Sequence, residues 1–140
     1  MIGVRFGQYH SYTQWKLVLQ SSTIGLPEVK TVTVDVPGMD GVLDYTELLT
    51  GGPVYGLRTL SFEFLMPEDA STWSDVLSDI AAKIHGKKLD VIRDSDINWR
   101  YTGRVYVRDF TAAERLGKLT IDVEADPYKI SRLDSGVKSL

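Results

Sequence analysis

The chain has 140 residues, 43% of them hydrophobic, 10% aromatic and 25% charged, with no Cys and a formal net charge of -3. That balance describes one ordinary domain with a real core, and it excludes a disulfide framework, a Cys-ligated metal and a thiol nucleophile. No apolar run approaches the ~20 residues that cross a bilayer, and the opening MIGVRFGQYHSY lacks the apolar centre of a secretory signal, so a product kept in the cytosol or released without a signal is expected.

In chain order, WKLVLQ at 15–20 reads as a short strand, and VKTVTVDV at 29–36 alternates strictly. In the latter, Val32, Val34 and Val36 are expected on the core side, with Thr31, Thr33 and Asp35 facing water. Pro37-Gly38 then ends the strand in a tight turn. Gly41 adds a second permissive backbone position, and Asp40 and Asp44 can bond local amides as Asx turns do. Residues 57–66 alternate again, with Leu60, Phe62, Phe64 and Met66 inward.

One helix follows. Trp73, Val76, Leu77, Ile80, Ala81 and Ile84 recur at helical spacing and form a single apolar stripe. Ser71 or Thr72 is expected to cap it, with Asp75 as the capping-box partner of Thr72, and Gly86 suits a left-handed stop. KLDVIR at 88–93 is a further short strand. A longer strand runs from Trp99 to Asp109, with Trp99, Tyr101, Val105 and Val107 inward. Lys118 to Ala125 completes a long hairpin with it, joined by FTAAERLG and burying Leu119, Ile121 and Val123. After Ile130 the periodicity fades, so residues 131–140 are expected to be a short mobile tail to a single domain of residues 1–130. The fold class is therefore mainly β: an antiparallel sandwich or barrel with one α-helix packed across it and a long hairpin.

Nothing in the sequence builds an active site. His10 and His85 are far apart and lack metal-ligand spacing, and His85 suits the end of the helix, where a positive charge meets the dipole. Asp94, Asp96 and Asn98 imitate the start of a calcium loop. Trp99 and Val105, however, replace the glycine and glutamate that such a loop needs, so a polar turn is expected. No phosphate loop, nucleophile elbow or dinucleotide fingerprint is present. No cofactor and no metal are expected.

Charge is unevenly spread. Residues 1–82 carry four basic against ten acidic side chains, net -6, and residues 83–140 carry twelve against nine, net +3. The halves can simply intermix on one surface. Alternatively, the subunit has two unlike sides, and head-to-side contacts between copies generate rings or filaments. The outward face of the Trp99–Asp109 strand holds Arg100, Arg104 and Arg108 beside Tyr106, a basic stripe that could grip phosphates. Asp122 and Glu124 on the hairpin partner are in reach to neutralise it, so no sequence-specific nucleic-acid binding is expected.

The order of several pieces is more specific than any one of them. HSYTQWKLVL comes first, then VPGMDGVLDYT with Pro37, Gly38, Asp40, Gly41 and Asp44, then Tyr55-x-x-Arg58. The helix ends in His85-Gly86-Lys87, and ADPYK closes the run at 125–129. Over residues 6–130 this arrangement resembles the N-terminal domain of the distal tail proteins of siphophages, a family that includes prophage tail components. The resemblance implies a β-sandwich flanked by one helix and a β-hairpin. It also implies a structural role: a hexameric ring at the distal end of the tail tube, serving as the hub that joins the tube to the baseplate or tail tip. The implied partners are further copies of the chain, the tail tube protein and the tail-associated hub protein. The implied location is the virion tail tip, after synthesis in the host bacterial cytoplasm. Many relatives continue into a second, often carbohydrate-binding-like domain, whereas this sequence stops about a dozen residues after ADPYK. The ring-forming core alone is therefore expected. The alternative is a stand-alone β-sandwich module that recognises carbohydrate through Tyr45, Tyr55 or Trp99. An enzyme is not expected.

Overall fold

The computed structural model describes residues 2–45, 47, 51–113 and 115–140. The first half contributes β1 (Val4–Phe6), β2 (Tyr9–His10), α1 (Ser11–Trp15), β3 (Val18–Ile24), β4 (Thr33–Val34), β5 (Leu43–Asp44) and β6 (Arg58–Leu65). There follow α2 (Trp73–Ile84), β7 (Lys88–Arg93), β8 (Trp99–Ala113), β9 (Leu116–Ala125), β10 (Lys129–Ser131) and β11 (Lys138–Ser139).

The strands form one antiparallel sheet in the order β2-β1-β7-β8-β9-β6-β3, with β10 on β8 and β11 on β10, while β4 and β5 pair only with each other. Three strands separate β1 from β6 along this sheet, yet the Phe6 ring meets Phe62 and Phe64 edge-on at 5.9 and 6.4 Å. The sheet therefore folds over on itself into a two-layered sandwich, and its inner faces make the core. Period-two alternation drives this. In β6, Leu60, Phe62 and Phe64 are fully buried, and in β9 so are Leu119, Ile121 and Val123. The two strands pair residue for residue, Leu60 with Val123 and Phe62 with Ile121. The helix adds its stripe, with Trp73, Ile80 and Ile84 buried. His85 leaves the helix in an extended conformation, and Gly86, at φ 77°, lies in the turn that follows, its amide donating to the Val105 carbonyl instead of back to the helix. The mainly β fold with one principal helix and a long hairpin is the observed one.

Four local expectations are corrected. Trp15 ends a helical turn instead of opening a strand, and β3 starts three residues later at Val18. The cause is local: the His10 ring caps α1, and Lys16 turns left-handed at φ 59°. Asp69, not Ser71 or Thr72, caps the entry to α2. Its carboxylate accepts from the Ser71 amide at 3.0 Å across a 3₁₀ turn, and the Thr72 side chain makes no cap bond. FTAAERLG is not a loop, because pairing continues out to Ala113 and Leu116. Residues after Ile130 do not trail off: Ser131 is buried, and β10 pairs with both β8 and β11. The largest departure, in residues 29–36, concerns the candidate site and is taken up below.

The imitation calcium loop has a structural use. His10 Nδ1 accepts from the Tyr12 and Thr13 amides, so its proton sits on Nε2, which donates to Asp94 at 2.7 Å. Asp94 also accepts from the Gly3 amide at 2.9 Å, fastening the N-terminal strand to the β7–β8 turn. Asp96 pairs instead with Arg93 and Lys129. Among the described residues no His, Asp and Glu cluster is placed to hold a metal. Partial burial opposes ionisation of Asp94, but the His10 N–H, the Gly3 amide and the charge of Arg5 outweigh it, and its carboxyl titrates below the ordinary 3.8. A depressed folded-state value means that this stabilisation is complete above the unfolded-state value and is lost as pH falls through the lower one. Wild type should therefore exceed Asp94→Asn in stability by a constant margin above about pH 5, and the margin should close below about pH 4. Urea unfolding of both proteins across that range measures it; a gap unchanged at acid pH would remove Asp94 from the account.

Candidate functional site

The segment that departs most from its sequence reading is the excursion between β3 and β6. Residues 29–36 have strand patterning, yet only Thr33 and Val34 pair as a strand, with Asp44 and Leu43. Val32 and Val34 are exposed, not inward; β4 pairs with β5 in a separate two-stranded sheet. The segment is a narrow arm. At its base, Glu28 and Lys30 bond the backbone of Leu57 and Val54, and Val29 bridges Tyr55. At its tip stands the Pro37–Asp44 turn.

Both glycines of that turn have the expected positive φ, 83° at Gly38 and 73° at Gly41. A Cβ at either would meet no atom within 4 Å, so backbone strain alone opposes a side chain there. Gly38→Val and Gly41→Val should each cost about 1–2 kcal/mol. Thermal melts check this, and variants that both melt with the parent would contradict it.

The arm is rooted on the ADPYK segment. Arg58 is 2% exposed, and its Nε donates to the Gly25 carbonyl at 2.9 Å and its Nη1 to the Pro127 carbonyl at 3.2 Å. Its guanidinium also lies 5.2 Å from the Tyr101 ring centre. Tyr55 meets Tyr128 edge-on at 6.1 Å. Three sequence pieces therefore converge on one end of the sandwich: the arm base, ADPYK and the His85-Gly86-Lys87 turn. In that turn the Gly86 amide donates to the Val105 carbonyl, and Lys88 reaches Asp126 at 3.8 Å. A small cleft of about 150 Å³ between Leu57, Lys88, Arg104 and Asp126 marks the junction.

The basic stripe is largely self-satisfied. Arg100 bonds Asp90 at 3.3 Å, Arg104 donates to the Gly86 carbonyl at 2.7 Å, and Arg108 pairs with Asp122 at 3.4 Å while covering the Tyr106 ring. Neutralisation by Asp122 is as expected. Arg100 instead finds a partner on β7, on the other side of its strand. The aromatic candidates for sugar binding are mostly engaged as well, Tyr55 by Tyr128 and Trp99 by Lys129 at 4.9 Å, while Tyr45 is exposed.

Sequence reasoning missed the role of Arg58. The signal was present: it shares the parity of Leu60, Phe62 and Phe64 and so had to point inward. It also missed the groove of about 450 Å³ where α1 meets α2. There the Trp15 indole donates to Asp79 at 2.8 Å, and this bond, with the ammonium of Lys83, holds the Asp79 carboxyl below its ordinary range. The groove holds no nucleophile with an adjacent base among the described residues.

The architecture places the chain among folded-over antiparallel sandwiches that carry one principal helix, a projecting arm and a long hairpin. No family model and no curated protein sequence matches the chain. Among solved structures it is similar to SPP1 Dit, described as a paradigm of the hub adsorption apparatus in phages that infect Gram-positive bacteria. The TM-score is 0.73 at 13% identity, over 94% of this chain and 52% of that one, so this chain spans about half the length of its neighbour. Identity at that level shows a shared fold. Among the described residues no helix is long and apolar enough to cross a membrane.

Proposed function

We propose that the chain is a structural component of a phage or prophage tail, forming a hexameric ring at the distal end of the tail tube that joins the tube to the baseplate or tail tip. The observation that carries this reading is the likeness to SPP1 Dit over 94% of the chain. The ordered VPGMDGVLDYT, His85-Gly86-Lys87 and ADPYK pieces support it, since all three meet at or lead away from one end of the sandwich. Residues 1–130 are the ring-forming domain, onto which residues 131–140 close through β10 and β11. The partners are further copies, the tube protein and the tail-associated hub protein, and the site of action is the virion tail tip. The role is structural rather than enzymatic, without cofactor. DNA passes through the ring rather than being held: the arginines of the outer strand are occupied by Asp90, Gly86 and Asp122. The carbohydrate-binding alternative is disfavoured by the engagement of Tyr55 and Trp99.

Native mass measurement over a concentration series, with negative-stain imaging, tests the reading. Concentration-dependent assembly toward six-fold rings is expected, with weak association acceptable when the adjoining hub is absent. Two-fold dimers on an isologous patch at every concentration would overturn it.

A further inference from the structure

Two strand edges of the chain are open. The sheet ends in the order β8-β9-β6-β3, with β3 as its last strand. The Gly25 amide donates to the Thr59 carbonyl, so alternation gives the backbone groups of Ser21 and Thr23 to β6 and turns those of Ser22 and Ile24 to the outer edge. On the other side, β7 and the turn before it cover β8 only as far as Val107. The Val105 amide donates to the Lys87 carbonyl, and the Val107 amide to His85 Nδ1. Beyond a bulge at Arg108 the edge opens. The Met66 amide donates to the Gly117 carbonyl, so Gly117 faces β6, and its partner Ala112, like Phe110, turns its backbone groups away from β9. Among the described residues nothing bonds the backbones of Ser22, Ile24, Phe110 and Ala112 on that outer side.

Open edges are usually blunted by charge or proline. The runs SSTI at 21–24 and FTAA at 110–113 carry neither, and Ser22 and Ala112 are exposed. Edges of this kind take up a further strand. The chain cannot fill one with the other, because β9 and β6 stand between them and hold them three strand spacings apart, about 14 Å. A second copy can. Across four antiparallel strands β8 and β3 run in opposite directions, so the β8 edge of one copy set against β3 of the next continues the ladder antiparallel. The faces agree as well. Ser22 lies opposite buried Phe62, and Ala112 lies opposite Gly117, whose inner side meets Met66 and Trp73, so both side chains stand on the core side. The other strands at sheet ends, β2, β4, β5 and β11, are two residues long.

We infer that the Phe110–Ala113 edge of one copy adds to the Ser21–Ile24 edge of a second copy and carries a four-stranded sheet from subunit to subunit. This rests on the reading of the chain as a self-assembling ring subunit and names the edges that would build it. The two edges are unlike, so the contact is heterologous, propagates from copy to copy and closes where the rotation allows. Main-chain bonds hold it, and the open parts of Ile24 and Phe110 add apolar contact.

Proline on either edge tests it. Ser22→Pro and Ala112→Pro each remove an amide that points outward and serves no ladder of its own chain, a place where edge strands tolerate proline, so both variants should fold. In sedimentation experiments wild type should self-associate, and each variant alone should do so at least tenfold more weakly. An equimolar mixture should stop at one-to-one pairs, because only the intact β8 edge of the Ser22→Pro chain and the intact β3 edge of the Ala112→Pro chain remain to meet. Amide exchange in wild type needs no variant: at Ser22, Ile24, Phe110 and Ala112 it should slow at least tenfold as concentration rises. Rings formed equally well by both variants, or those four amides still exchanging freely in assembled protein, would overturn this contact and leave the tail-ring reading standing. An Ala112→Pro chain that dimerises as well as wild type would set β3 against β3 and overturn β8 as its occupant. A wild type that stays monomeric at every concentration would overturn the second copy.

Discussion

Phe62→Ala should destabilise the protein by about 3–5 kcal/mol, the range for truncating a fully buried aromatic. Phe62 is 0% exposed, lies edge-on to Phe6 at 5.9 Å, leans on Phe64 at 6.4 Å and sits opposite Ile121 across the β6–β9 ladder. Alanine removes one of the two β6 rings, with Phe64, that meet Phe6 across the two layers, and the facing strands cannot close on the gap without breaking their register. For a domain whose whole stability is on the order of 5–15 kcal/mol, this should lower the melting temperature by about 10–17 °C. Phe62→Leu, which fills most of the volume, should cost less than half as much. Urea titrations with an unchanged slope would show that stability alone has moved; an alanine variant within about 1 kcal/mol of wild type would place the core elsewhere.

Arg58→Met should cost about 3 kcal/mol and loosen the root of the arm. The side chain is 2% exposed and has no carboxylate partner among the described residues; its charge is spread over the Gly25 and Pro127 carbonyls and the face of Tyr101. Methionine fills the space but leaves the two part-buried carbonyls without the donors that Arg58 supplies, which is where the cost arises. Arg58→Lys should recover only part of it, since one ammonium cannot span the separate carbonyls that Nε and Nη1 reach. Because Gly25 and Pro127 flank the arm base, hydrogen exchange should rise at the Gly25, Glu28 and Gly56 amides, which bond the Thr59, Leu57 and Glu28 carbonyls there. Loss of stability with those amides still protected would separate Arg58 from the arm.

The strands of the core were legible because each is long enough to repeat its period. Leu60, Phe62 and Phe64, and Leu119, Ile121 and Val123, lie inward as their spacing requires, and the stripe from Trp73 to Ile84 forms the helix it describes. The positive φ at Gly38 and Gly41 was equally readable, since a turn that tight needs residues without a Cβ. The same pattern failed for Val32 and Val34. Alternation states that a strand has one apolar face, but not what will cover it, and here both side chains stay exposed on the arm.

By itself, then, the sequence determined the period of the long elements, the mainly β class and the core residues of β6, α2, β8 and β9, all of them consequences of local spacing and of the transfer of apolar side chains from water. Only the tertiary structure decided the rest. Folding the sheet over brought β1 against β6, rooted the arm on Arg58 and Pro127, carried the segment after Ile130 back onto β8, and gave the His10–Asp94 pair a separation of 84 residues to bridge. Such contacts depend on chain closure over long separations, where the free energy lies in the partner that arrives and not in the residue that waits.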